Sequence, residues 1–173
     1  MIRPIIIYDD PILRNTSKDI DLQKSDIKEI ISDMWETMYD AKGAGLAASQ
    51  IGLNLNLIVV DEEISPGEIF KNVFINAKIL NYAGYLSIMK EGCLSFPGLC
   101  IDVLRPLTIE VEWYDEKFIY HKEFFTGITA RILQHEIDHT NGLLFIDRLH
   151  PDEKLKIFKE LEGIKNKREV KIE

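Results

Sequence analysis

Ile27, Ile30, Ile31, Met34, Trp35 and Met38 recur at i, i+3, i+4, i+7, i+8 and i+11, with polar residues between them. That period predicts an amphipathic helix; Asp26 and Glu29 have capping-box spacing, and Gly43 would end it. Beyond Gly52 the pattern changes to short segments rich in β-branched residues, Leu55 to Val60, Val73 to Leu80 and Tyr85 into Glu91, with Ser65-Pro66-Gly67 as a turn. Leu107 to Trp113 and Lys117 to Phe125 flank Tyr114-Asp115-Glu116 and read as a hairpin. A second helical period follows. Thr126 would be its N-cap, Asn141-Gly142 its stop, and two apolar rows run along it: Ile128 and Ile132 on one side, Ala130, Leu133 and Ile137 on the other. A helix apolar on two faces is predicted to be buried. Pro151 would open a last helix to about Gly163, with Leu155, Phe158 and Leu161 inward, and residues 165–173 would fray. The expected class is α+β: antiparallel β-sheets around a central buried helix, with an N-terminal and a C-terminal helix. No repeat or linker divides residues 1–173, so one domain is expected, with about 150–173 as C-terminal helix and tail.

The central helix carries His135-Glu136-Ile137-Asp138-His139, an HExxH pattern, and buried polar groups need partners. On a helix, His135 and His139 share a face and can grip one metal ion, with Glu136 beside its water. Catalytic sites usually take a third protein ligand. In the extended motif HExxHxxGxxH that ligand is a downstream His, but Phe145 stands there; Cys93, within Glu91-Gly92-Cys93-Leu94-Ser95, is an upstream candidate. Taken alone, Cys93 reads as a small core residue more readily than as a ligand. The formal net charge of −8 argues against a general nucleic-acid binder. No stretch is long and apolar enough to cross a membrane, and the first residues lack the features of a signal or transit peptide, so a cytoplasmic protein with reduced Cys93 and Cys100 is expected.

Gly43-Ala44-Gly45-Leu46-Ala47-Ala48-Ser49-Gln50 lets backbone approach a ligand closely and offers the Gln50 amide, although a helix cap and turn would explain it too. This stretch, Glu91 to Ser95 and Gln134 to His139 together closely resemble the three signature motifs of the peptide deformylases. Asp10-Pro11-Ile12-Leu13-Arg14 resembles the start of that family, and the likeness runs from about Tyr8 to Arg148. The resemblance implies hydrolysis of the N-terminal formyl group of nascent formylmethionyl polypeptides. By the same token, Cys93, His135 and His139 would bind one divalent metal, Glu136 would be the general base, and Gln50 with the Leu94 N–H would form the oxyanion hole. Ala44, Gly45 and Gly92 would hold the peptide through main-chain groups. Because apolar stripes adjoin the metal face there, Ile128, Ile132 and the wall around Leu46 are candidates to receive the methionine side chain, with core packing an equal reading for any one of them. Fe2+ is the implied metal, with Zn2+, Ni2+ or Co2+ able to substitute. In some relatives a C-terminal helix docks on the ribosome, and Lys154, Lys156, Lys159, Lys165, Lys167, Arg168 and Lys171 make that end basic here.

Ala44, Thr140 and Cys100 depart from the commonest family pattern, none of them in the proposed ligand set. Asp138 would fix the helix or an arginine such as Arg105. Two rivals remain: another HExxH hydrolase using Asp147 or His150 as a ligand, and a closed structural zinc site adding Cys100. Neither accounts for Gln50 or the glycine stretch.

Overall fold

The computed structural model describes residues 1–23 and 26–169. Helix α1 spans Lys28–Asp40 and buries Ile31, Met34 and Met38, with Ile27 just ahead of it. The capping box does not form: Ile27 takes the N-cap position, and the Asp26 carboxylate instead accepts the Lys28 N–H at 3.3 Å. At the other end Lys42, at φ 57°, takes the left-handed position expected of a glycine. The Gly43 N–H then closes on the Met38 carbonyl at 2.9 Å. Gly43 instead leaves room for Leu94, since a Cβ there would lie 2.8 Å from Leu94 Cδ1 and would displace that side chain.

The strands β1 Gly45–Ala47, β2 Leu57–Ser65, β3 Glu68–Gly92, β4 Cys100–Tyr114 and β5 Tyr120–Thr126 join in one antiparallel sheet in sequence order. Two expected strands are a single long β3. Its register against β4 shifts between Ile75 and Lys78, Ile79 and Asn81, and Ala83 and Leu86. Each shift resets the two-residue alternation, which is why the pattern along this strand reads as broken. The hairpin turn is longer than expected, because Tyr114 pairs with Tyr120 and Asp115 Oδ1 accepts the Lys117 and Ile119 N–H groups at 2.8 and 3.0 Å.

Helix α2, Gly127–Thr140, lies on the face of the sheet opposite α1. β2 shows this in its alternation: Leu57 and Val59 pack with Met34 and Met38 of α1, while Ile58 and Val60 pack with Ala130, Leu133 and Ile137 of α2. Each fully buried Leu or Ile in these layers contributes up to about 1.5–3 kcal/mol. A third cluster, including Phe96, Val103, Phe145, Leu161 and Ile164, packs below the loop that carries Cys93.

The C-terminal helix is two pieces, α3 Pro151–Lys156 and α4 Phe158–Glu169, broken at Ile157. The break shifts the inward face. Leu161 and Ile164 are buried with Ile157 beside them, whereas Leu155 and Phe158, expected inside, are 73% and 57% exposed. The expected fraying from Lys165 is corrected as well: the helix continues to Glu169, and residues 170–173 lie outside the described residues. Among the described residues no helix is long and apolar enough to cross a membrane.

Candidate active site and metal centre

Thr126 is the N-cap of α2, although its hydroxyl turns to Thr108 and the Leu107 carbonyl rather than to the helix. At the far end Leu143 N–H reaches the Asp138 carbonyl at 2.9 Å, with Gly142 at φ 71°. His135, Glu136 and His139 of this helix are all buried. Cys93 comes from the turn between β3 and β4. Its Sγ lies 3.2 Å from His139 Nε2, and one donor atom from each of Cys93, His135 and His139 falls within 4.8 Å of the others. Metal–ligand lengths of about 2.3 Å for sulfur and about 2.0–2.1 Å for nitrogen put S and N about 3.5 Å apart around a tetrahedral ion, so the spacing fits. One thiolate with two imidazoles also suits Zn2+, Fe2+, Ni2+ or Co2+ better than a hard cation.

The rival ligands are elsewhere. Asp147 binds Arg14 and the Leu144 N–H, His150 has a side chain 72% exposed, and Cys100 is exposed and outside the donor cluster. Phe145, standing where the extended motif has its third His, packs against the His135 ring at 5.6 Å.

Glu91 orients His135. Its Oε2 lies 2.9 Å from His135 Nδ1, and a carboxylate only accepts, so Nδ1 carries the proton and Nε2 faces the donor cluster. The same carboxylate takes Arg105 Nε at 2.7 Å, Arg105 Nη2 at 3.0 Å and Arg131 Nη1 at 2.9 Å. Burial pushes the Glu91 carboxyl up, but His135 and Arg105 outweigh it and hold the group well below the ordinary carboxylate range. Asp138, one residue before His139, binds Arg105 at 2.6 Å and also Arg148, which names the partners the sequence left open. Burial and the nearby His135 charge hold His139 well below the usual imidazole range.

Glu136 is treated differently. Burial pushes its carboxyl up to about 7, and Oε2 has no hydrogen-bond partner among the described residues. The backbone comes close beside it, because a Cβ at Gly45 would lie 2.8 Å from Glu136 Oε1. Gln50 is aimed by its own amide oxygen, which accepts the Ala47 N–H at 2.9 Å. Nε2 therefore turns toward Cys93 Sγ at 3.6 Å and Ser95 Oγ at 3.3 Å.

These groups open onto a cavity of about 610 Å³. Ala44, Gly45, Gly92, Ile128 and Ile132, the substrate-wall candidates, line it, and so does Leu94, whose N–H is the oxyanion candidate. Leu46 does not. Alternation along β1 sends Gly45 and Ala47 toward α2 and Leu46 into the core against α1. Arg131, also on the cavity wall, has no counterpart in the sequence-based expectations; the only sign of it is a lone cation among Ile128, Ala130, Ile132 and Leu133.

The profile of the family described as polypeptide deformylase matches residues 2–155. The chain belongs to the polypeptide deformylase family. A peptide deformylase of Chlorobaculum parvum is 46% identical over 170 residues, covering 97% of this chain and 90% of that protein. Among solved structures, one of an Arabidopsis thaliana peptide deformylase in complex with an inhibitor matches with a TM-score of 0.88 at 38% identity, covering 99% of this chain and 93% of that one. A Legionella pneumophila peptide deformylase matches at 0.85 and 36%, covering 97% and 98%. The deformylase motifs noted in the sequence are thus the three stretches that meet at this cavity: Gly43 to Gln50, Glu91 to Ser95 and Gln134 to His139.

Proposed function

We propose that this chain hydrolyses the N-terminal formyl group of formylmethionyl nascent peptides in the cytoplasm, releasing formate and a free amino terminus, with residues 1–173 acting as one catalytic domain. The observation that carries the assignment of roles is the convergence of Cys93, His135 and His139 donor atoms within 4.8 Å, beside a buried glutamate. Those three residues would hold the metal, Fe2+ by the family resemblance with Zn2+, Ni2+ or Co2+ as substitutes. When bound, such an ion supplies a Lewis acid and an acidified water.

The remaining steps belong to the chain's own side chains and backbone. Glu136 accepts the proton of the attacking water and returns it to the departing amine, and its Oε2, with no protein donor among the described residues, is free for that exchange. Gln50 Nε2 and the Leu94 N–H donate to the carbonyl oxygen as it gains negative charge, and one such donor contributes about 2.7–4 kcal/mol. β1 lies at the edge of the sheet, and a peptide can add there as a further strand through the backbone of Ala44 and Gly45, facing Gly92. Ile128 and Ile132 receive the methionine side chain.

An anaerobic assay of formate release from formyl-Met-Ala-Ser, with metal analysis of the same sample, tests this reading. Metal-loaded protein that releases no formate would reject it. The ribosome is proposed as a further partner. Lys156 and Lys159 are exposed beside the exposed Leu155 and Phe158, which supports docking through α3 and the start of α4. Truncation after Gly163 would remove the buried Ile164, so K156E/K159E is the cleaner variant; unchanged ribosome co-sedimentation would discard the partner.

A further inference from the structure

The proposed ligands come from two separate pieces. Cys93 rides on the β3–β4 ribbon, which runs from Gly84 to Gly92 and back from Cys100 to Pro106, while His135 and His139 ride on α2. An ion between them is held well only if ribbon and helix keep a fixed distance and angle. Arg131 is built to set both. It leaves α2 one turn before His135 and is only 4% exposed. Its Nη2 donates to the Ser87 carbonyl of β3 at 2.8 Å and lies 3.1 Å from the Ser87 hydroxyl. Its Nη1 donates to the Val103 carbonyl of β4 at 2.8 Å and to Glu91 Oε1 at 2.9 Å. One planar fork therefore ties both strands of the ribbon and the carboxylate that orients His135.

The geometry points to Arg131 as a positioning residue for the metal centre, acting through Glu91 on His135 and through the ribbon on Cys93. This rests on the metal-binding reading above. A merely space-filling role does not suit the site: Arg131 sits between Ile128 and Ile132, where an aliphatic side chain would need no buried partners. Arg105 makes the complementary link from the ribbon to Asp138 on α2, on the other side of Glu91. With Arg131 gone, Glu91 keeps Arg105 and His135, and the ribbon stays tied to α2 through Arg105 to Asp138 and through Gln134 Nε2 to the Pro106 carbonyl at its far end, without the fork that spans both strands. Lysine is no substitute, because a single ammonium cannot reproduce a fork that spans two strands and a carboxylate.

The test uses Co2+ as probe. Wild type, R131K and R131M are loaded with Co2+ against a competing chelator, and the cobalt–thiolate charge-transfer band and the d–d bands are recorded alongside circular dichroism and Tm. Loss of a partner that orients a metal ligand typically weakens metal binding 10–100-fold, so the Co2+ Kd of R131K should rise by about that factor, with both sets of bands altered while the protein stays folded. Unchanged Kd and bands in folded R131K and R131M would overturn the proposal. So would unfolding of both variants, or a lowered Tm with wild-type bands, since each makes Arg131 a structural clamp only. A wild type without a cobalt–thiolate band would instead overturn the metal reading itself, and this inference with it.

Discussion

Glu91 and Glu136 are equally buried, each 5% exposed, yet their carboxyls are driven in opposite directions. Glu91 is held well below the ordinary range, whereas Glu136 is pushed up to about 7. Burial disfavours the charge on both, and more strongly on Glu136, whose carboxyl is the more deeply enclosed. The difference lies in partners. Both oxygens of Glu91 are occupied by Arg105, Arg131 and His135, while Glu136 Oε2 has no protein donor among the described residues. A saturated carboxylate is fixed and stays charged, which suits a group that orients a ligand. An undersatisfied one can take up and release a proton near neutral pH, which suits a general base.

The comparison breaks most sharply at the reaction itself. Cys93→Ala should abolish metal retention and formate release together, while Cys100→Ser, which removes an exposed thiol outside the donor cluster, should keep both. Equal metal loss in the two variants would restore the closed zinc site. Glu136→Ala should keep its metal but lose about 10²–10⁴-fold in kcat. Metal loss in that variant would show that Glu136 is a ligand and not a base.

On the saturated side the expected effect is on stability. Arg105→Met strands Glu91 and Asp138 with fewer donors in the interior, and breaking a buried pair from one side costs about 3–5 kcal/mol. For a chain of this size that corresponds to a Tm lower by roughly 10 °C. A loss below about 1 kcal/mol would mean that Arg131 and Arg148 carry the two carboxylates without it.

The paired histidines His135 and His139 were legible from their helical spacing, whereas Cys93 and Gln50, ambiguous in their own short stretches, became legible only when the three motifs were taken together. Glu91 was visible inside its motif, but the residue type alone does not reveal that His135, Arg105 and Arg131 converge on it from 14 to 44 positions away. Leu46 looked like cavity wall because its neighbours are; the three-residue strand that turns it away is too short to leave a period of its own. On the C-terminal side, Leu155, Phe158 and Leu161 fit one uninterrupted helical face, and the break at Ile157 moves the buried face to Leu161 and Ile164. Bulges hid the continuity of β3 in the same way, by resetting the phase on which pattern reading depends.

Gln50 stands between the two regions, with its oxygen fixed by the Ala47 N–H and its Nε2 turned toward Cys93 and Ser95. Gln50→Ala should lower kcat about 10²–10³-fold and change KM much less, because its donor is asked to bind charge that develops only in the transition state. An unchanged kcat would move Gln50 to the structural side of the comparison.

The smallest effect concerns a carboxylate that is saturated but near the surface. Burial pushes Asp147 up, yet Arg14 and the Leu144 N–H outweigh it and hold the carboxyl below its ordinary value. The pair ties the turn Pro11–Arg14 to the turn Phe145–Arg148 just after α2. A depressed folded-state pKa means that the stabilisation is present above the unfolded carboxyl value of about 3.9 and is lost as pH falls through the lower folded value. With Arg14 42% exposed, solvent screening limits the pair to about 0.2–1 kcal/mol. Asp147→Asn keeps an oxygen for the Leu144 N–H and removes the charge together with the Arg14 Nη2 hydrogen bond to the other oxygen. It should lower Tm slightly at pH 7 and low salt, with the gap to wild type closing as pH falls below about 3.9 and as salt rises. A gap that persists unchanged at low pH would show that Asp147 acts through packing or its backbone hydrogen bond, and that saturation at the surface does not work as it does at Glu91.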